Sequence, residues 1–336
     1  MTIYNKILNK KVLVTGGAGF IGSNICDALI KQNNEVVCLD SFITGKRENI
    51  SHLLDYNNFN LIDGDIRNLA DCKKAVDGVE IILHQAALGS IPRSIKDPLT
   101  TNAINVDGFI NILFAAKEAG IKRVVYASSS SVYGDSTALP KIESNIGVPL
   151  SPYAITKRVN ELYANVFSEI YGLELIGLRY FNVYGMRQDP HSAYAAVIPK
   201  FIHALINLES PVINGDGTYS RDFTFIEDVV QMNQLAALTV NPKAINQIYN
   251  VAAGGRNTIK TLFEILKKYL TDFNNKIDAI NPIYGSIRPG DVPHSQASIE
   301  KAIKLLGYSP KYSFNEGLKK TVGWHIENFA NLKNSL

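Results

Sequence analysis

The chain has 336 residues, of which 46% are hydrophobic and 19% are charged, so it has enough apolar material for a large folded core. Its 34 lysines and arginines stand against 31 acidic residues, and a formal net charge of +3 argues against a surface that binds nucleic acid. No apolar run approaches the roughly 18 residues of a membrane span, and residues 1–11 lack the apolar core of a signal peptide, so we expect a cytoplasmic protein without membrane contact.

Short β-branched runs alternate with helical patterns in the first half of the chain. They predict strands over residues 11–15, 35–39, 59–63, 80–84, 123–127 and 173–178. Strands that alternate with helices imply a parallel sheet covered on both faces, so we predict an α/β fold with a Rossmann-type doubly wound sheet over residues 1–180. Beyond that point proline and glycine become frequent, which predicts a smaller α+β lobe over residues 181–336. Residues 228–237 and 247–251 are the segments that could return to the sheet.

Three glycines connect the first strand to a helix predicted over residues 20–32. Gly16 permits a tight turn, Gly19 lets the backbone approach a pyrophosphate, and Gly22 lets the helix and the strand pack closely. The helix that begins with Phe20 and Ile21 points its N-terminus at the anion. Glycines at this spacing also occur in structural turns, so the loop alone does not establish a dinucleotide site.

The acidic residue Asp40 ends the second predicted strand, eighteen residues after Gly22. In dinucleotide-binding folds an acid at this place binds the hydroxyls of the adenosine ribose. The 2′-phosphate of NADP, about 4 Å from such a carboxylate, would meet a repulsion of roughly 4 kcal/mol per unit charge at an effective dielectric near 20. The sequence therefore favours NAD over NADP.

Tyr153 and Lys157 lie four residues apart near the start of a helix predicted to run to Tyr171, so both side chains project from one face. A tyrosine that acts as a base on a sugar hydroxyl must ionise, although its ordinary pKa is near 10. A nearby lysine ammonium and a positive nicotinamide ring would stabilise the phenolate. The spacing alone is common by chance, and its place after a cofactor loop makes a catalytic pair the better interpretation.

The fifth predicted strand runs into four serines, residues 128–131. Their hydroxyls would lie at the carboxyl edge of a parallel sheet, where such folds bind ligands, although a polar turn gives the same pattern. Cys26, Cys38 and Cys72 are interpreted as small buried residues, and the histidines show no ligand spacing. We therefore predict no metal site.

Taken together, the motifs resemble those of the extended short-chain dehydrogenase/reductases, and among these most closely the UDP-N-acetylglucosamine 4-epimerases. The resemblance covers nearly the whole chain. The motifs that carry it are the glycine loop, the serines before Val132-Tyr133-Gly134, Tyr153-x-x-x-Lys157, Arg179-Tyr180-Phe181-Asn182, Arg221-Asp222-Phe223 and Arg288-Pro289-Gly290-Asp291.

The resemblance implies an NAD-dependent inversion at carbon 4 of a UDP-hexose. Ser129, Tyr153 and Lys157 are similar to the catalytic residues of the family: Tyr153 takes the proton from the 4-hydroxyl while the sugar is oxidised, and the 4-keto sugar turns over before it is reduced on its other face. Lys157 would also bridge Tyr153 and the nicotinamide ribose. In the family two helices per subunit form a dimer bundle, so residues 98–119 and 153–171 imply a homodimer.

The resemblance also assigns binding residues. Those similar to the family's NAD contacts are Gly16, Gly19, Phe20, Ile21, Gly22, Asp40, Asp65, Ile66, Ala86, Ala87, Tyr153 and Lys157. Those similar to its UDP-sugar contacts, mostly in the second lobe, are Gly89, Ser130, Asn182, Gln188, Ala196, Arg221, Arg288, Asp291 and Ser295. Ala86 and Ala87 would equally suit plain packing, and either Arg221 or Arg288 would equally suit a surface ion pair.

Sugar preference depends, in the family, on the residue two positions beyond the last proline of Arg-Pro-Gly-Asp-x-Pro. A tyrosine there restricts the pocket to plain hexoses, and a small side chain admits N-acetyl sugars. Here that residue is Ser295, which implies UDP-N-acetylglucosamine and UDP-N-acetylgalactosamine as substrates. The group at carbon 6, hydroxymethyl or carboxylate, stays open because Arg93 or Arg187 would suit either.

Two other functions are compatible with this fold. Nucleotide-sugar 4,6-dehydratases and decarboxylases place acids before Val-Tyr-Gly, whereas Ser129, Ser130 and Ser131 supply none here. A non-catalytic NAD-binding regulator would be expected to lose the tyrosine or the lysine, and both are present.

Overall fold

Strand β1 (Lys11–Thr15) is an inner strand of a seven-stranded sheet in which every neighbouring pair is parallel. The order across the sheet is β3-β2-β1-β4-β5-β6-β11. The chain crosses between β1 and β4, so the carboxyl ends of these strands diverge into a crevice of the kind that binds ligands in doubly wound sheets. The structure is a computed structural model that describes residues 5–191, 195–287 and 292–334.

The elements follow one another in the order expected for such a sheet. The remaining strands are β2 (Glu35–Asp40), β3 (Phe59–Asp63), β4 (Ile81–His84), β5 (Arg123–Ser129), β6 (Glu174–Tyr180), β7 (Val183–Tyr184), β8 (Val212–Asn214), β9 (Ser220–Arg221), β10 (Thr224–Phe225), β11 (Ile248–Val251), β12 (Asn257–Thr258) and β13 (Ile283–Gly285). The helices are α1 (Phe20–Ile30), α2 (Leu69–Ala75), α3 (Ile91–Lys96), α4 (Pro98–Asn102), α5 (Gly108–Glu118), α6 (Pro152–Tyr171), α7 (Val197–Ile206), α8 (Ile226–Leu238), α9 (Ile259–Thr271), α10 (Glu300–Leu306) and α11 (Phe314–Asn334).

Alternate residues of the central strands pack into two separate cores. Val12 and Val14 of β1 lie in the core beneath α1 and α8, whereas Leu13 points to the opposite face and packs beneath α5. Strands buried on both faces have near-continuous apolar sequences, which is why these segments were recognisable. The predicted α/β fold with a Rossmann-type parallel sheet is confirmed.

The second half of the chain pairs its short strands in twos. β7 pairs with β10 and β8 with β13 in parallel, and β9 pairs with β12 in antiparallel orientation. Strand β11 instead returns to the main sheet beside β6. None of the helices in the described ranges is long and apolar enough to cross a membrane.

One expectation about local structure was wrong. Residues 228–237 do not form a strand: they lie in helix α8, where the apolar residues Ile226, Val229, Val230 and Ala237 follow a helical period and face the sheet. The helix expected over residues 98–119 is present, since residues 98–118 are helical throughout and a π-helical segment, Ala103–Asp107, joins α4 to α5.

Candidate functional site

The glycine loop lies at the carboxyl end of β1 and leads directly into α1. Gly16 has a positive φ of 66°, and a Cβ there would lie 2.7 Å from the backbone of Ala86. A Cβ at Gly22 would overlap the carbonyl oxygen of Gly16. Both positions therefore require glycine, and the resulting cradle brings bare backbone to the N-terminus of the helix, as phosphate binding needs.

A cavity of about 680 Å³ opens above this loop in the crevice between β1 and β4. Ten of the residues predicted to contact NAD line it, namely Gly16, Gly19, Phe20, Ile21, Gly22, Asp40, Asp65, Ile66, Ala86 and Ala87. Because the cavity combines a side-chain-free cradle with an acid at the end of the neighbouring strand, its residues fit a dinucleotide. We refer to it as the cofactor cavity.

Asp40 is held at the edge of the cofactor cavity by backbone amides. Its two carboxylate oxygens accept hydrogen bonds from the N–H groups of Ala18 (2.9 Å) and Phe42 (2.8 Å). Burial raises the pKa of Asp40, and these amides oppose the increase. The carboxylate is thus fixed in place, with the chain continuing as a loop beside it.

That loop, residues 41–49, is part of the site that the sequence interpretation missed. Ser41, Thr44 and Lys46 are among its residues that line the cofactor cavity. Lys46 forms an ion pair of 3.0 Å with Asp189, which lines the same cavity from the other half of the chain. The polar segment Thr44-Gly45-Lys46-Arg47-Glu48-Asn49, which follows soon after Asp40, was the available signal, and nothing in the sequence indicated the partner of Lys46.

Helix α6 positions Tyr153 and Lys157 beside the end of β5. Ser151 caps the helix by accepting a hydrogen bond from the N–H of Ala154 at 3.2 Å. Tyr153 lies close enough to Ser129 for the serine hydroxyl to lower the pKa of the phenol, and the Lys157 ammonium donates to the carbonyl oxygen of Ala127 at 2.8 Å. The three predicted catalytic residues are therefore brought together at one edge of the sheet.

The ionisation of this group is governed by burial. Burial raises the pKa of Tyr153, and the neighbouring hydroxyl of Ser129 partly offsets this increase. Burial lowers the pKa of Lys157 to about 8, while the carboxylate of Glu161 partly opposes that decrease. Lys157 thus keeps its proton at pH 7, and ionisation of Tyr153 needs further positive charge.

Beneath the catalytic residues lies a buried ion-pair network that the sequence did not reveal. Glu161, one turn beyond Lys157, accepts two hydrogen bonds from the guanidinium of Arg179, at 2.8 and 2.9 Å. It also accepts a bond of 2.7 Å from the hydroxyl of Ser128. The network fastens α6 to β5 and β6, so the first serine of the run is structural.

A second cavity of about 500 Å³ lies in the smaller lobe. Four predicted substrate residues line it, namely Asn182, Gln188, Ala196 and Arg221. We refer to it as the substrate cavity. Asn182 donates to the carbonyl of Asp222 at 3.0 Å, and Arg221 donates to the carbonyl of Ser220 at 3.0 Å.

Other predicted substrate residues lie elsewhere. Gly89 lines the cofactor cavity, as does Arg93, while Ser130 and Ser295 are not among the described residues that line either cavity. Ser295 is half-buried, and its N–H bonds the carbonyl of Ser220 at 3.0 Å, beside Arg221. Arg288 and Asp291 lie outside the described residues.

Charged clusters elsewhere do not suggest a metal. Within the ranges 5–191, 195–287 and 292–334, no group of three or more His, Cys, Asp or Glu side chains is arranged to hold an ion. Cys26, Cys38 and Cys72 are buried and free.

The match to known proteins agrees with this site. A model of the NAD-dependent epimerase/dehydratase family matches residues 12–252, and the chain therefore belongs to that family. The solved UDP-N-acetylglucosamine 4-epimerase of Methanobrevibacter ruminantium M1, in complex with UDP-N-acetylmuramic acid, is 42% identical, with 96% of this chain and 100% of that chain covered and a TM-score of 0.89.

Two further solved structures are of epimerases that are named for other sugars. UDP-glucose 4-epimerase of Thermotoga maritima, with UDP-glucose, is 34% identical, with 95% and 99% of the two chains covered and a TM-score of 0.87. UDP-glucuronic acid 4-epimerase of Bacillus cereus, with UDP-glucuronic acid and NAD, is 31% identical, with 95% and 99% covered and a TM-score of 0.86. Within its family, this chain is thus an NAD-dependent UDP-sugar 4-epimerase.

Proposed function

We propose that this epimerase interconverts UDP-N-acetylglucosamine and UDP-N-acetylgalactosamine, and turns over UDP-glucose and UDP-galactose as well. The observation that carries the N-acetyl preference is Gln188 in the wall of the substrate cavity. Its Nε2 donates to the carbonyl of Val183 at 3.0 Å, while its Oε1 is buried and has no hydrogen-bond partner among the described residues. A buried acceptor without a partner is costly, and an acetamido N–H is a donor that would satisfy it.

The small side chain of Ser295 supports the same preference. Its backbone N–H bonds the carbonyl of Ser220, so Ser295 lies next to the strand that carries Arg221, which we assign to the substrate diphosphate. As the family resemblance implies, a small residue here would leave room for the additional bulk at carbon 2. The 42% identity to a UDP-N-acetylglucosamine 4-epimerase agrees with this assignment.

The chemistry proposed for the chain's own groups is a reversible proton transfer. Tyr153 accepts the proton of the sugar 4-hydroxyl and later returns it, and the neighbouring Ser129 hydroxyl favours the ionised phenol by lowering its pKa. Lys157, which is charged at pH 7, stabilises the phenolate from one turn along the same helix. When bound in the cofactor cavity, NAD supplies a two-electron oxidant that is restored within each turnover.

Substrate binding must hold the nucleotide while the sugar turns. We assign this to Asn182, Arg221 and Arg288 at the diphosphate, since guanidinium groups match phosphate oxygens in geometry and charge. Asp291 is proposed only as a further residue of the substrate site. Ser130 and Gly89 would face the sugar, where the two cavities approach each other. Ala196, an exposed residue, would complete the wall beside Gln188.

A substrate panel tests the proposal. Purified protein is incubated separately with UDP-N-acetylglucosamine, UDP-glucose and their two uronic-acid forms, and the epimers are resolved by chromatography. We expect conversion of the first two, with kcat/KM higher for the acetylated sugar, and no conversion of the uronic acids. Preferential conversion of a uronic acid would refute the assigned substrate while leaving the family unchanged.

An exposed apolar face on helix α6 is the basis for the oligomeric state that we propose. On α6 the side chains of Ile155, Leu162, Val166 and Ile170 recur on one side of the helix, and each is about half exposed. Leu99 of the adjacent helix α4 is 82% exposed. Because such a face is rarely left in water, and a second copy would cover it with an identical face, we propose a homodimer.

Light scattering coupled to gel filtration tests the dimer. The wild-type protein should elute with twice the mass of the chain, and Val166→Glu should shift it to the monomer, since a charge would then lie in the interface. Val240→Glu is the matched control, because Val240 is 92% exposed elsewhere on the chain. A monomeric wild-type protein would contradict the proposal.

A further inference from the structure

Arg187 follows β7 and lines the cofactor cavity, although it belongs to the second half of the chain. Its backbone has a φ of 67°, in the left-handed region that side-chain-bearing residues adopt rarely. Residues held in this region are concentrated at ligand-binding sites, where the surrounding structure enforces the conformation. An arginine in such a backbone, facing a cavity, therefore needs an explanation beyond chain geometry.

The surrounding residues fix Arg187 from three sides. Its Nη2 donates to the carboxylate of Asp27 on α1, and the other oxygen of that carboxylate lies 2.6 Å from Nε2 of His52. The preceding carbonyl, that of Met186, accepts a hydrogen bond of 3.1 Å from the side chain of Asn24. Two residues later, Asp189 is paired with Lys46. The guanidinium is thus held in place before any ligand binds.

One donor of this fixed guanidinium is left over. The Nη1 atom of Arg187 is buried and has no hydrogen-bond partner among the described residues. An arginine keeps its charge under all ordinary conditions, so a buried donor of this kind calls for an acceptor, preferably an anion. The same cavity wall contains the glycine cradle and the N-terminus of α1, which favour a phosphate group.

We infer that Arg187 is a cofactor-binding residue whose Nη1 donates to the pyrophosphate of NAD. The two alternative anions in the site are the substrate diphosphate and a carboxylate at carbon 6 of the sugar. Arg187 lines the cofactor cavity and is absent from the described lining of the substrate cavity, whereas Arg221 lines the substrate cavity. The position of Arg187 thus favours the cofactor.

This contact would couple the two cavities. Gln188, the next residue, lines the substrate cavity, and its buried Oε1 has no partner among the described residues, so one short segment contributes one residue to each cavity. Binding of the pyrophosphate would fix this segment and with it the wall that we assign to the acetamido group. The inference rests on the assignment of the first cavity to NAD and does not depend on which sugar is turned over.

Binding of NAD, ADP-ribose and UDP to cofactor-free protein, measured by calorimetry in the absence of any sugar, tests the inference. Arg187→Met should weaken the binding of NAD and ADP-ribose by about tenfold to a hundredfold, the range typical of a lost charged hydrogen bond. Its affinity for UDP should stay within about threefold of the wild-type value. Arg187→Gly removes the same donor but relieves the left-handed backbone, so it should lose the same affinity and melt no lower than Arg187→Met. Arg187→Lys should retain part of the affinity.

Arg123→Met is the matched control, because Arg123 is about as buried as Arg187, also pairs with a carboxylate, that of Glu174, and lies at the amino end of β5, outside the described cavity wall. It should bind NAD as the wild-type protein does. If both Arg187→Met and Arg187→Gly bound ADP-ribose as tightly as the wild-type protein does, the inference would be overturned. It would also be overturned if the variants lost affinity for UDP alone, because Nη1 would then belong to the substrate site. Failure of the wild-type protein to bind ADP-ribose would overturn the assignment of the cavity itself.

Discussion

The cofactor cavity and the substrate cavity are built in different ways. The cofactor cavity lies at the carboxyl ends of parallel strands, and part of its wall is bare backbone, where glycine is required at Gly16 and Gly22 by close contacts. The substrate cavity is formed by residues of helix α7, short strands and loops, from residues 182–188, 195–204, 210–214 and 219–223. A backbone site constrains the sequence tightly and so is shared by a whole family, whereas a side-chain site can change its ligand with a few substitutions.

The largest expected effect is on the chemistry that both cavities serve. Tyr153→Phe should lower turnover of every sugar by about a hundredfold to ten-thousandfold, because it removes the proton acceptor. NAD should remain bound, as the substitution leaves the glycine cradle and Asp40 untouched. Steady-state rates with cofactor content measured in the same preparation would check this. A variant that kept more than about a tenth of the wild-type rate would show that another group is the base.

The substrate cavity should be alterable without disturbing the cofactor. Ser295→Tyr should reduce kcat/KM for UDP-N-acetylglucosamine by at least about a hundredfold, because a steric clash discriminates more strongly than the roughly 1–3 kcal/mol of one missing methylene. Turnover of UDP-glucose and the affinity for NAD should survive. Paired kinetics on the two substrates, with Ser295→Ala as the control, would decide. Equal losses on both sugars would mean that Ser295 does not select between them.

Conversely, a substitution in the cofactor cavity should change the preference for NAD over NADP without changing the preference among sugars. The unmodified protein should bind NAD more tightly than NADP, and Asp40→Ala should reduce that ratio by about tenfold or more, since it removes the charge that repels a 2′-phosphate. The ratio of kcat/KM for acetylated and plain sugars should not change. Binding titrations with both cofactors measure this, and tighter binding of NADP by the wild-type protein would refute the role of Asp40.

The smallest expected effect concerns stability. Burial lowers the pKa of Lys157 from 10.5 to about 8, so the folded state binds this proton less tightly than the unfolded state does. Below pH 8 the charged lysine therefore destabilises the folded protein, by an amount on the order of 3 kcal/mol, and this penalty disappears as the pH rises from 8 to 10.5. Lys157→Met should accordingly abolish turnover yet raise the melting temperature by a few degrees at pH 7.

The pH dependence of this difference in melting temperature provides an internal control. The gap in melting temperature between Lys157→Met and the wild-type protein should narrow as the pH is raised from 8 towards 10. A variant that melts below the wild-type protein at pH 7 would show that the hydrogen bond to Ala127 outweighs the cost of burying the charge.

The sequence predicted those parts of the fold and the site whose signals are local in the chain, and it missed those that depend on distant residues. The strands Lys11–Thr15 and Phe59–Asp63 were predicted with correct ends, and the cofactor cavity was assembled from the glycine loop and Asp40, because these signals are local in the chain. The ion pair between Lys46 and Asp189 joins residues more than a hundred positions apart, and no short-range pattern indicates it. For the same reason the sequence offered Arg187 only as one of two arginines that could face carbon 6 of the sugar.

The helix α8 shows a different limit. Its residues were named as a segment that could return to the sheet, and they do pack on the main sheet, but as a helix that covers β5 and β6. Apolar content alone indicates burial, whereas the spacing of the apolar residues decides between helix and strand.

The central claim, that bound NAD oxidises and then reduces carbon 4 of the same sugar, can be tested with one labelled substrate. UDP-N-acetylglucosamine carrying deuterium at carbon 4 is incubated with the purified protein in ordinary water without added cofactor, and the UDP-N-acetylgalactosamine formed is examined by NMR and mass spectrometry. We predict that the product retains the deuterium at carbon 4, because the hydrogen removed by the bound cofactor is returned to the same carbon. Product formed with hydrogen from the solvent at carbon 4 would contradict this account.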